Sequence, residues 1–214
     1  MILRAENISK SYGKTKVLEQ INIEVESSTF YGISGVSGCG KSTLLAILAL
    51  LDRADKGELF LKGKNISKLS KKEASFIRNE QYGFVFQSYN TLMHLSVLEN
   101  VLLPFEYGLP FHENPKKIAL SWLERVGMLA YKDKKVSTLS GGEQQRVAIA
   151  RALVRNPDIV FADEPTGNLD SENSLLVLNI LEEIAQEQDK SVIMVSHDST
   201  ALSYCTQLLA LEKQ

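Results

Sequence analysis

Residues 30–33 form a short apolar run that breaks into Gly35-Val-Ser-Gly-Cys-Gly-Lys41-Ser42 and then into a strongly apolar stretch over 41–51. A buried strand, a glycine-rich loop and a helix in that order constrain the fold more than any other feature of the chain. The loop fits the pattern G-x-x-x-x-G-K-[ST]. Glycines at 35, 38 and 40 let the backbone wrap closely, so that its N–H groups can turn towards phosphate oxygens. The helix opening near Lys41 adds the positive end of its dipole. Lys41 is suited to the β- and γ-phosphates of a nucleotide, the Ser42 hydroxyl to Mg²⁺, and Thr43 to an α-phosphate. Ser37 and Cys39 complete the loop, Cys39 through its backbone alone.

The rest of the chain alternates strand and helix signals. Val17, Ile21, Ile23 and Val25 share one face of a strand. Further strands are expected over 58–61, 82–86, 159–162, 192–195 and 208–211, and helices over 143–154 and 171–188. Between about 88 and 135 the apolar spacing is helical, but Pro104, Pro110 and Pro115 cut it into short pieces. Trp122 takes an apolar helical position and reads as core. The pattern implies a mostly parallel α/β sheet covered on both faces, an antiparallel part from the first segment, and a small helical lobe.

At the end of the 159–162 strand stand Asp163 and Glu164, at the sheet edge where ligands bind in open α/β folds. Asp163 is suited to hold Mg²⁺ and Glu164 to polarise an attacking water. The segment Leu139-Ser-Gly-Gly-Glu-Gln-Gln-Arg146 places adjacent glycines just before a helix, a second anion-facing helix start with Ser140 as an extra donor. One chain with two such elements needs a reason for both.

The bulk numbers exclude several functions. Net charge is −2, so no overall basic field attracts nucleic acid. Two lone cysteines, Cys39 and Cys205, suit neither a zinc site nor a disulfide framework. The N-terminus lacks the apolar core of a signal peptide, and no apolar run approaches the roughly 20 residues that span a bilayer. A membrane connection therefore has to go through a partner.

With these motifs in order, the chain resembles the ABC transporter ATPases along essentially its whole length. Tyr12 matches the aromatic that stacks on adenine, residues 35–43 Walker A, and Gln87 the Q-loop, a catalytic and metal-facing position. Residues 139–143 match the signature, 159–164 Walker B, Asn168-Leu169-Asp170 the D-loop, and His197 the switch histidine, which contacts the γ-phosphate. The resemblance implies a single ABC-type P-loop NTPase domain over 1–214 with a RecA-like sheet, binding ATP and Mg²⁺. It also implies an ATP-dependent homodimer in which Ser140, Gly141, Gly142 and Glu143 of one copy face the ATP held by the other. Asp170 would couple the two sites.

The strings Leu51-Asp52-Arg53, Leu98-Glu99-Asn100-Val101 and ADEPTGNLD over 162–170 look like the macrolide-exporter, lipoprotein-release and bacteriocin-export branch. That branch implies an integral membrane permease as partner, a place on the cytoplasmic face of the plasma membrane, and export or extraction as the task. An ABC-superfamily ATPase acting on DNA, the ribosome or the cell-division machinery is the alternative. A DNA-repair member would carry long heptads between Walker A and the signature, and this chain has about a hundred proline-interrupted residues there.

Overall fold

The structure is a computed structural model describing residues 1–187 and 190–213. The chain opens with β1 (Leu3–Tyr12), β2 (Thr15–Val25), β3 (Phe30–Gly35), α1 (Lys41–Leu48), β4 (Lys56–Leu61), β5 (Lys64–Asn65) and α2 (Lys71–Glu80). It continues with β6 (Tyr82–Phe86), α3 (Val97–Leu102), α4 (Pro115–Arg125), α5 (Gly141–Leu153), β7 (Ile159–Asp163), α6 (Ser171–Gln186), β8 (Ser191–Val195), α7 (Ser199–Ser203) and β9 (Gln207–Leu211). Five strands form a parallel sheet in the order β6-β7-β8-β3-β9, and β2-β1-β4-β5 form an antiparallel one.

Strand periodicity divides the interior in two. Along β7, Val160 and Ala162 join one core with α3, α4, α5 and α6, while Ile159 and Phe161 join the other with α1 and the antiparallel sheet. Along β8, Val192 and Met194 go to the first and Ile193 and Val195 to the second. Side chains alternate across a strand, so a continuous apolar run is what a doubly covered parallel sheet requires. Leu44 and Leu48 of α1 are fully buried, each contributing roughly 2 kcal/mol of apolar burial.

Some elements differ from expectation for local reasons. Helix α1 stops at Leu48, not at 51, because Leu50 turns left-handed at φ +57°. The amides of Leu51 and Leu50 then close back on Ala46 O and Ile47 O, a Schellman ending. The expected end of the 171–188 helix lies outside the described residues, and α6 closes at Gln186. Four elements went unread in the sequence, the two-residue β5 among them. Bulges at Ala5/Ile8 and Ile8/Lys10 break the alternation of β1. Helix α2 buries no residue and is started by the Ser70–Glu73 capping box, while α7 is only five residues long. Trp122 is not in the core: it is half-buried against it, with the Arg125 guanidinium 4.8 Å over its ring.

The helical segment after β6 is fastened to the core. Val97, Val101, Ala119 and Leu123 are fully buried and share the α5–α6 side of the sheet. Asn100, also fully buried, bonds Leu92 N, Leu92 O and Ser96 O, fixing the entry to α3.

Candidate functional site

Adjacent strands of the parallel sheet end at one edge, and that edge collects the chemistry. β3 delivers the glycine loop, β7 delivers Asp163 and Glu164, and β8 delivers Ser196 and His197. A cavity of about 570 Å³ is lined there by Gly35, Ser37, Gly38, Gly40, Lys41, Ser42, Thr43, Glu164 and His197, with Val17 and Val36. Gly35 has φ +147°, and a Cβ on it would lie 2.4 Å from Leu211 O of β9. Gly40 has φ +100°, and a Cβ there would lie 2.8 Å from Val17 O. Both positions combine a left-handed backbone with close approach, which only glycine meets. The loop passes directly into α1, so amides of its first turn lack intrahelical acceptors and face the loop. Lys41 Nζ donates to Gly35 O at 2.8 Å and to Val36 O at 3.1 Å, which holds the charge over the loop.

Ser42 Oγ donates to Asp163 Oδ1 at 3.3 Å, joining the loop to the acidic pair. Burial pushes the Asp163 carboxyl above its usual range, and the neighbouring Glu164 charge acts in the same direction. A half-buried carboxylate beside a hydroxyl is a hard-oxygen donor set that a divalent cation would relieve of its charge penalty. Among the described residues no group of three His, Cys, Asp or Glu is placed to hold a metal ion. Ser42 and Asp163 are thus a partial set that fits Mg²⁺ completed by phosphate and water oxygens.

Glu164 takes φ +45°, a left-handed conformation costing of order 1–3 kcal/mol for a non-glycine residue. Its amide donates to Val195 O at 3.0 Å. Oε1 pairs with His197 Nδ1 at 2.8 Å, and Ser196 Oγ donates to Oε2 at 3.4 Å. The carboxylate is 16% exposed and the histidine 72%. With Nδ1 engaged by Glu164, Nε2 of His197 is left for a second partner. The pair also borders a second recess of about 420 Å³, lined by Thr166, Gly167, Leu169 and Ser171 of the turn that contains Asp170. Ser196 was not read from the sequence as part of the site, and neither was Val17; nothing but their position beside Glu164 and the loop marks them.

Other expected site residues are placed differently. Cys39 is 2% exposed, its sulfur is 2.7 Å from where a Gly35 Cβ would be, and its amide donates to Val36 O at 3.3 Å. It is therefore the packed floor of the loop, and its N–H is spent on a turn where a phosphate contact was expected. Gln87 is outside the cavity lining that holds Ser42 and Glu164. Its Nε2 donates to Asn168 Oδ1 at 3.4 Å, and Asn168 Nδ2 donates to Gln87 O at 3.0 Å. In this conformation Gln87 is linked to the Asp170 turn through its side-chain N–H and its backbone carbonyl, and its Oε1 takes no part in that link. Tyr12 is about half-exposed outside the cavity lining, and its hydroxyl donates to Asp52 Oδ2 at 2.7 Å.

The Ser140–Glu143 segment does not line the chain's own cavity. Exposed Ser140 caps α5 in a reciprocal box: Glu143 Oε2 accepts from the Ser140 amide at 2.7 Å and from its hydroxyl at 2.9 Å. The Ser140 amide bond is the main cause that holds the Glu143 carboxyl below its usual range. Asp170 caps α6 by accepting from Asn173 N at 2.8 Å. The glycine-opened start of α5 therefore presents its orphan amides outside the cavity, whereas α1 presents its own at the cavity.

The family described as ABC transporter matches residues 18–167. The lipoprotein-releasing system ATP-binding protein LolD of Aquifex aeolicus is 46% identical over 92% of this chain and 88% of its own. The macrolide export ATP-binding/permease protein MacB of Chlorobaculum tepidum is 41% identical over 96% of this chain, which spans 32% of that longer protein. Among solved structures, the dimeric post-hydrolysis state of the ATP-binding cassette MJ0796 bound to ADP and Pi has a TM-score of 0.88 at 36% identity. That match covers 100% of this chain and 97% of the other. The phosphate loop, the acidic pair, the signature segment and the sheet that arranges them agree with this likeness, and the chain belongs to the ABC transporter family of ATP-binding proteins.

Proposed function

We propose that this chain is the ATP-hydrolysing subunit of an ABC export or extraction complex, and that two copies close on two shared ATP molecules. The single observation that carries the shared site is the second helix start. Ser140 and Gly141 offer an anion-facing terminus that does not line the chain's own cavity, which has its phosphate cradle already. A second copy, turned face to face, brings that terminus to the first copy's nucleotide.

Within the closed pair, Lys41 and the loop amides hold the phosphate chain. Ser42 and Asp163 would hold Mg²⁺, which supplies charge neutralisation on the phosphate oxygens. Glu164 accepts a hydrogen bond from water and orients it in line with the γ-phosphate, while His197 holds Glu164 and contacts the terminal phosphate. Tyr12 gives one face to the base. Ser140 must exchange its hydroxyl bond to Glu143 for one to the partner's phosphate, so closure and capping compete for the same proton.

The membrane partner docks in a groove of about 370 Å³ between β6 and the helical segment, walled by Phe84, Phe86, Tyr107 and Arg151. No helix among the described residues is long and apolar enough to cross a membrane. In the proposed complex the permease holds the chain at the cytoplasmic face. The relatives named for lipoprotein release and macrolide export support a peptide, antibiotic or lipoprotein cargo. A net charge of −2 favours a protein partner over nucleic acid.

A mixing experiment tests the shared site. Lys41→Ala and Ser140→Arg should each be unable to trap ATP alone. Mixed in equal amounts they form heterodimers with one intact composite site, and trapped nucleotide should reappear. Absence of complementation, with each variant folded, would overturn the trans arrangement.

A further inference from the structure

Among the described residues, three helices start with the same device. Ser70–Glu73, Ser96–Glu99 and Ser140–Glu143 are capping boxes in which the glutamate reaches back to the cap amide. Helix α6 breaks the pattern with Asp170 as cap and Asn173 in the glutamate's place. An amide there does what a carboxylate cannot: it donates to the cap and keeps an oxygen to spare. Asn173 Nδ2 donates to Asp170 Oδ1 at 3.0 Å and to Oδ2 at 2.8 Å. Its Oδ1 accepts from Arg146 Nη1 of α5 at 2.9 Å.

The same side chain lies against the signature. A Cβ on Gly142 would stand 2.2 Å from Asn173 Oδ1 and 2.9 Å from Asn173 Cβ. Gly142 is buried, whereas Ser140 is exposed. The glycine is thus needed by packing inside one chain, apart from any phosphate contact.

We infer that Asn173 is a positioning residue that locks the signature glycines to Asp170, so that both partner-facing elements of a chain move as one unit. The inference rests on the shared-site reading above and extends it. Closure onto the partner's ATP then cannot shift Ser140 and Gly141 without carrying Asp170 along. Arg146 and Asp170 act through Asn173 as a three-part bridge between α5 and the start of α6.

The test uses the full chain in a Glu164→Gln background, with dimerisation followed by sedimentation across an ATP titration. Nucleotide affinity is measured at protein concentrations where the chain is monomeric. Asn173→Ala keeps the backbone cap to Asp170, so it should fold, and its nucleotide affinity should stay within about twofold. ATP-driven dimerisation should weaken by about tenfold or more. Arg146→Ala should behave alike, and the double variant should be no worse than the worse single one. Asn173→Ser, whose hydroxyl can accept from Arg146 and donate to Asp170, should recover part of the loss. Unimpaired dimerisation of Asn173→Ala, an equal loss of monomer affinity, or fully additive effects would each overturn the inference. If Glu164→Gln alone stays monomeric with ATP, it is the shared-site reading that fails, and the inference falls with it.

Discussion

Replacing Glu164 with glutamine separates chemistry from architecture at this site. The two side chains have the same shape, and the left-handed backbone at φ +45° is equally strained for either. The amide can still meet His197 Nδ1, which lies 2.8 Å away, by offering its oxygen or its N–H to the matching tautomer. Ser196 Oγ then either donates to the amide oxygen or accepts from its N–H, whichever His197 leaves. Folding stability should therefore change by no more than about 1 kcal/mol, the net worth of one hydrogen bond. What disappears is the negative charge that polarises water. A positioned general base contributes about 10²–10⁴-fold, and Glu164 has both oxygens oriented, so a loss of about 10³-fold is expected, or roughly 4 kcal/mol of barrier. Phosphate release in the steady state reads the rate, and equilibrium binding of a fluorescent ATP analogue reads affinity, which should be unchanged. Turnover above a tenth of the parent value, in a variant that binds ATP normally, would remove Glu164 from the role of base.

Lys41→Ala should weaken nucleotide binding by about 10- to 100-fold, the value of one or two charge-assisted hydrogen bonds. Melting temperature should change little, since Nζ bonds only the carbonyls of its own loop; an unchanged affinity in titration calorimetry would contradict the loop assignment. Stability should fall in acid. Glu73 is held below the ordinary carboxylate range chiefly by the Ser70 hydroxyl, Glu99 and Glu143 by the amides of Ser96 and Ser140, and Asp170 by that of Asn173. Depressed folded values mean a contribution complete above about pH 4.3, the unfolded range, and lost as pH falls through the folded values. Asp163, raised by burial, opposes this trend but stands against several such groups. Urea midpoints measured from pH 7 to 3 should decline below about pH 4.5, and less steeply in Glu99→Gln; a flat profile would refute the sign.

The parts of this protein legible from sequence are those that a short window determines. The phosphate loop is one turn between two elements, so its glycines, Lys41 and Ser42 were identifiable before any fold was known, and β7 announced Asp163 and Glu164 by an unbroken apolar run. Capping boxes are equally local: Ser70-x-x-Glu73 was a readable signal for α2, overlooked because no apolar face accompanied it. The positions placed differently from expectation depend on residues far away in the chain. Cys39 becomes floor because Leu211, at the other end, closes the loop from behind. Gln87 turns from the cavity because Asn168, 81 positions on, takes its amide. Asn173 has no motif of its own and gains meaning only where Arg146 and Gly142 reach it. Local windows therefore disclose which residues gather at the cavity, while the couplings between motifs are tertiary. A subunit that closes on a second copy needs both, since without a link from signature to Asp170 its two partner-facing elements would meet the partner independently and closure would weaken.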